Sequence, residues 1–339
     1  MNEIENKHRR TVLVMGICLI LCVLGSFTLG RYPVSLAELL GVLANRAGLP
    51  VKPFWPSQVE AAVWNIRLPR VVLSVLVGAC LAAAGGAYQG IFQNPMASPD
   101  ILGASAGAGF GAALAILLGA SSAGITIGAF AASLLTVGLV FSVSRHARGD
   151  RVLGLVLAGI MVSSLFQSGT SFLKLVADPN NQLPQITYWL MGSLSGAKWS
   201  DIGFVLLPMC CGLIPLFLLR WQLNVITMGD DEARAMGVDP QKIRLWIAIC
   251  STLVTASAVS VSGMIGWVGL VIPHMMRRLV GSDYRFLMPA SMLGGGIFLL
   301  VVDNVSRAVA GIPIGILTAF IGAPFFLWLI TGKGDHYEH

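Results

Sequence analysis

Charge is what this sequence has least of. Lys, Arg, Asp and Glu make up 11% of its 339 residues, where soluble domains carry about 25%. With 55% hydrophobic residues and a mean hydropathy of +0.79, so little charge excludes a soluble globular domain and requires an integral membrane protein. No apolar segment carries the chained Asp, Glu or His that a proton relay needs, which argues against a proton-driven secondary transporter. Neither G-x-x-x-x-G-K-[ST] nor H-E-x-x-H occurs, so the chain has no phosphate cradle for ATP and no sign of a membrane zinc protease. The six cysteines (Cys18, Cys22, Cys80, Cys210, Cys211 and Cys250) all lie inside apolar runs. That placement argues against a disulfide framework and a zinc site. The net charge of +6 is modest and is read through topology rather than as affinity for nucleic acid. The first apolar run lacks a clear small-residue cleavage site, so it reads as a retained helix.

What is present is a series of apolar runs of about 20 residues, the length of a membrane-spanning helix; barrel strands would alternate over about 10. They lie at about 11–30, 70–92, 101–119, 123–144, 152–173, 202–220, 244–263, 266–281, 286–309 and 314–331. The eighth is short and holds Pro273. This predicts an all-α integral membrane protein of ten transmembrane helices, one domain over 1–339, with both termini on one side. Positive charge places that side in the cytoplasm: 14 of the 22 Lys and Arg then lie inside, including Arg148 and Lys333, while Arg31 and seven others lie outside.

Two outer segments are long. Residues 32–69 contain the capping-box patterns Ser35…Glu38 and Ser57…Glu60, which predict one or two interfacial helices. Residues 174–201 contain an amphipathic ITYWLMGSLSG, read as another. Trp55, Trp64, Tyr188, Trp189 and Trp199 suit the membrane–water boundary. Small residues recur every four positions at Gly78, Ala82, Gly86 and Gly90, and again at Gly103, Gly107, Gly111, Ala115 and Gly119. Such stripes let helix backbones approach closely, or they line a smooth path for a bulky solute. Asp303 is the main charge inside a span, with Arg307 at helical ion-pair spacing. Gly103-Ala-Ser105-Ala-Gly107 matches the nucleophile elbow G-x-S-x-G, but that motif requires a strand before the serine. Here it lies in a glycine-rich apolar segment, so no catalytic residue is assigned.

The densest polar stretch is MGDDEARAMGVDPQKIR, Met228–Arg244. So much charge in so apolar a chain must sit outside the hydrocarbon. Asp230 or Asp231 can cap a short helix and Gly237 can stop it. Asp239 can cap the next helix, with Pro240 at its first position. The stretch is either an ordinary loop between spans or an element that docks a partner.

Six blocks in order resemble one family. They are IRLPR (66–70), QGIFQNPMASPDILGASAG (89–107), YWLMGSLSG (188–196), GDDEARAMGV (229–238), GLVIPHMMRRLVGSDYR (269–285) and PIGILTAFIGAPFFLWLI (313–330). They are similar to the permease subunits of bacterial type II ATP-binding-cassette importers for ferric siderophores, haem and vitamin B12. The resemblance implies a vitamin-B12-permease-like bundle in the bacterial inner membrane, working as a homodimer or pseudo-dimer. Two ATPase subunits would bind inside and a periplasmic substrate-binding protein outside, with ATP and Mg on the ATPase and no cofactor or metal on this chain. It implies ATPase coupling through Asp230, Asp231, Glu232, Arg234, Ala235, Met236, Gly237 and Val238, within a cytoplasmic loop at about 221–243. It implies an inner gate at Asn94, Pro95 and Met96, where Met replaces the family's Leu. It implies binding-protein docking at Arg67 and Arg307, with a contribution from Arg70. The expected cargo is a ferric siderophore, with haem, vitamin B12 or molybdate as alternatives.

Overall fold

The computed structural model describes residues 2–29, 34–146, 151–309 and 311–331. Arg31, Arg148 and Lys333, used above to orient the chain, lie outside them. All regular structure among the described residues is helical. The helices are α1 (Asn2–Thr28), α2 (Leu36–Arg46), α3 (Ser57–Ala61), α4 (Leu68–Ile91), α5 (Ala104–Leu117), α6 (Ser122–Ser144), α7 (Arg151–Val176) and α8 (Gln182–Leu190). They continue as α9 (Trp199–Leu218), α10 (Arg220–Thr227), α11 (Asp230–Ala235), α12 (Pro240–Ser262), α13 (Val268–Val280), α14 (Tyr284–Ala308) and α15 (Ile314–Thr331).

Each of the ten apolar runs is a helix: α1, α4, α5, α6, α7, α9, α12, α13, α14 and α15. Among the described residues, seven helical stretches are long and apolar enough to cross a membrane. The 14 residues of α5 and the 13 of α13 reach only about 20 Å at 1.5 Å per residue, short of the ~30 Å hydrocarbon layer. Both begin at a sharp backbone turn. Gly103 precedes α5 at φ 76° and Trp267 precedes α13 at φ 71°.

The two capping-box expectations part ways. Ser35 and Glu38 form both reciprocal bonds at the start of α2. At α3 the cap position belongs to Pro56, and Glu60 instead pairs with Arg46 at 2.7 Å. α3 is not a separate interfacial helix either. It runs through a π-helical turn, Ala62–Arg67, straight into α4, so 57–91 is one continuous helical stretch. A π turn leaves a carbonyl free of the regular ladder, and the Trp64 carbonyl accepts from the Trp199 indole at 3.0 Å. In the second long segment a short helix forms, but as α8, Gln182–Leu190; it starts before the expected ITYWLMGSLSG stretch and leaves 191–196 outside regular helix.

The glycine stripes are packing surfaces. Gly78 faces Gly295 of α14 backbone to backbone, and a β-carbon on either would collide with the other's carbonyl oxygen. Gly85 abuts the Gly269 carbonyl of α13 in the same way. On α5, Gly107 and Gly111 close on Thr136 and Gly128 of α6. The two stripes therefore serve different partners. One group of helices forms around α4, α13 and α14, with α1 along its side; another forms from α5, α6 and α7. α12 packs against both, touching α4, α9, α5 and α6. The bilayer gives helices no hydrophobic reason to associate, so contact at this range supplies the dispersion energy that holds them.

Candidate functional site

The short acidic helix α11 is built much as its sequence requires, with one difference. Its N-cap is Gly229, at φ 132°, with no side-chain cap. Asp230 and Asp231 are not caps but lie in the first turn, where negative charge still favours the helix dipole. The far end matches: Gly237 takes φ 79°, its N–H donates to the Arg234 carbonyl at 3.0 Å, and the Val238 N–H donates to the Ala233 carbonyl at 2.9 Å. This is the double-bonded glycine stop of a helix. Asp239 then caps α12, accepting from the N–H groups of Gln241 and Lys242. The Lys242 backbone bond is the main reason its carboxyl ionises below the ordinary value.

Eight residues of this segment are expected to engage a partner, and the structure divides them. Asp231, Glu232, Arg234, Ala235, Met236 and Gly237 are exposed, while Asp230 is intermediate and Val238 is buried. Asp230 anchors the segment through Arg244 on α12 at 2.6 Å. Val238 joins Ala233 and Val225 in a small apolar cluster against Ile243. Ala233 and Val225 are anchors that the charge pattern did not reveal; their signal is only that they are apolar among charges.

Asn94, Pro95 and Met96 form an exposed turn directly after α4. The Ala97 N–H donates to the Asn94 carbonyl at 3.0 Å, and the Met96 N–H donates to the Asn94 side-chain oxygen at 2.8 Å. Asn first and Pro second is the composition such a turn favours. Nearby, Asn224 of α10 donates to Asp283 at 2.6 Å and accepts from the Tyr284 N–H at 2.7 Å. Burial opposes ionisation of Asp283, but hydrogen bonds from Arg285 and Asn224 outweigh it and hold its carboxyl below the usual range. The Tyr284 hydroxyl reaches the Gly86 carbonyl at 2.9 Å, and Arg277 bridges Tyr284 and Gln89.

At the other end of α4 and α14, the three arginines expected to face a docking protein turn inward. Arg67 is 6% exposed and bonds the Phe27 carbonyl of α1. Arg70 pairs with the fully buried Asp303 at 2.9 Å. Arg307 reaches the same carboxylate at 3.3 Å and also Ser26 and Asn304. Asp303 therefore serves two arginines, not only the one four residues on. The three arginines that the resemblance assigns to binding-protein docking thus also bind α1, α4 and α14 to one another. Ser105, the candidate elbow serine, follows a 3-10 turn (Pro99–Leu102) rather than a strand, and its hydroxyl donates to Asp100.

A sequence profile described as the FecCD transport family matches residues 18–332. The molybdate import system permease of Haemophilus influenzae is 38% identical over 320 residues, covering 93% of this chain and 94% of that one. The hemin transport system permease of Yersinia pestis is 37% identical over 342 residues, covering 95% and 96%. Among solved structures, an inward-facing transporter described as of the metal-chelate ABC type superposes with a TM-score of 0.85 at 35% identity. The match covers 96% of this chain and 100% of that one.

Proposed function

This chain belongs to the FecCD transport family, and we propose from that premise which of its parts drive import. It is a permease of the type II ATP-binding-cassette importers. In our reading it lies in the bacterial inner membrane with both termini in the cytoplasm. It pairs with a second copy and engages two ATPase subunits through the exposed face of α11. A periplasmic binding protein delivers cargo to the opposite side. The chain carries no bond-making chemistry; ATP and Mg belong to the partner.

The observation that carries this reading is the division of labour in 228–244. Asp231 is 94% exposed, while Ala233, Val225 and Val238 pin the same segment to α10 and α12. An anchored element with a charged outer face transmits a push as a rigid body; a slack loop would not. ATP drives the change only to the extent that it favours one state of the complex over the other. On the binding-protein side, Arg67, Arg70 and Arg307 outnumber Asp303 by two charges, so that end attracts an acidic surface by its field rather than by direct ion pairs.

The cargo is a metal chelate, with a ferric siderophore as the first choice. The solved neighbour is described as a metal-chelate transporter. A molybdate permease is comparably similar, so an oxyanion is the second reading. Substrate-stimulated ATPase activity across a panel of ferric siderophores, haem, cobalamin and molybdate decides between them. The coupling assignment is tested by reversing charge at Asp231 and Glu232 in the reconstituted complex. Uptake should fall at least about fivefold, within the usual range of coupling energies. Unchanged uptake would refute it.

A further inference from the structure

The end of α4 and the end of α11 use the same helix stop with different residues. At α11 the left-handed position is Gly237. At α4 it is Gln93, at φ 48°, one of two non-glycine residues with positive φ among those described. The bonds are those of the same motif: the Gln93 N–H donates to Gly90 at 3.2 Å and the Asn94 N–H to Gln89 at 3.1 Å. Glycine is the residue that fits this conformation without strain. Glutamine persists there only if its side chain repays the strain.

The side chain has a defined task. Its Nε2 donates to the Ile226 carbonyl at 3.1 Å. Ile226 is in the last turn of α10, whose carbonyls lack partners within the helix, four residues before α11 begins; its carbonyl also accepts the Gly229 N–H at 3.3 Å. Gln93 is also the residue immediately before the Asn94-Pro95-Met96 turn. One side chain therefore joins the support of α11 to the start of the candidate gate. Leu223 of α10 packs against Gly90 one turn earlier, so the two elements are in contact as well as bonded. The separate Asn224 bonds fasten the other face of α10 to the start of α14.

The geometry points to Gln93 as a positioning residue for transport: it transmits displacement of α10–α11 to the Asn94–Met96 turn. This rests on the coupling role proposed for α11. It does not touch cargo or nucleotide.

The test uses the complete importer in proteoliposomes, measuring uptake and ATP hydrolysis together. Gln93→Gly suits the backbone conformation, so the fold is kept and only the side-chain link is lost. Its uptake per ATP hydrolysed should fall about five- to tenfold, the scale of a typical coupling energy, with the unfolding temperature not lowered. Gln93→Glu, which cannot donate when ionised, should behave likewise. Gln93→Lys, which restores a long donor, should recover most of the ratio. The thiol introduced by Met96→Cys should change its reactivity toward an impermeant maleimide on ATP binding, and that change should vanish in the Gln93→Gly background. Normal uptake per ATP in Gln93→Gly would overturn this inference alone. Absence of ATP-driven uptake in the unmodified complex would overturn the importer reading, and this inference with it.

Discussion

At one end of α4 and α14, Asp303 is fully buried between Arg70 and Arg307; at the other, Asp231 stands 94% exposed beside Arg234. Both are acidic residues within reach of arginine; the sequence sets Asp303 inside an apolar run and Asp231 outside the hydrocarbon, but it does not show how many partners each holds. Their surroundings give them opposite work. A buried carboxylate among buried guanidiniums cannot lose a partner without leaving a charge stranded at low dielectric. It is therefore bound to the fold and unavailable to another protein. An exposed pair is screened by water and contributes little to stability, so its charges remain free to meet a partner. Burial, more than charge, separates the structural end of this molecule from its coupling end.

The contrast sets an order of effects on stability that can be broken experimentally. Asp303→Asn leaves Arg70 and Arg307 without their counter-charge and should cost about 3–5 kcal/mol. It should appear as a large drop in unfolding temperature in detergent, and a drop no larger than that of a surface variant would erase the distinction. Asp230→Asn lies between the extremes. Its pair with Arg244 is about one-third exposed on the Asp side, and losing it should cost up to about 1 kcal/mol. Part of that loss should appear as faster proteolysis of the α10–α12 connection. Charge reversal at Asp231 and Glu232 should shift stability by no more than about 0.5 kcal/mol while uptake collapses; a variant that unfolds instead would show that α11 is a structural strut.

The smallest effect concerns pH. Asp239 and Asp283 both ionise below their ordinary value of 3.8. A depressed folded-state value means that the stabilisation is complete above the unfolded value and is lost as pH falls through the folded one. Hydrogen exchange at the Gln241, Lys242 and Arg285 amides should therefore be steady from neutral pH down to about pH 5 and rise only below the ordinary carboxylate range, since each amide bonds one of these carboxylates. Asp239→Asn should remove most of that acid dependence at the α12 cap. An exchange rate that changes between pH 6 and 8, beyond the intrinsic chemical trend, would contradict these assignments.

Much of this was legible in the chain. Ten apolar runs gave ten helices, because removing backbone groups from water leaves a helix as the way for a single segment to satisfy them. Ser35 with Glu38, Gly237, Asp239 with Pro240, and Asn94 with Pro95 each behaved as their local chemistry requires. Where the reading failed, a distant contact intervened. Glu60 left its capping role for Arg46, and Asp303 took Arg70 from 233 positions away as well as its own-helix neighbour Arg307.

The sequence by itself determined the membrane class, the helices and the punctuation of the α11 segment. These depend on hydropathy and on interactions within a few residues. Only the tertiary structure decided which charges are hidden and which displayed, that the glycine stripes are contacts between helices, and that Gln93 holds Ile226. Those outcomes depend on which surfaces meet, and a pairing across 133 positions leaves no periodic trace along the chain.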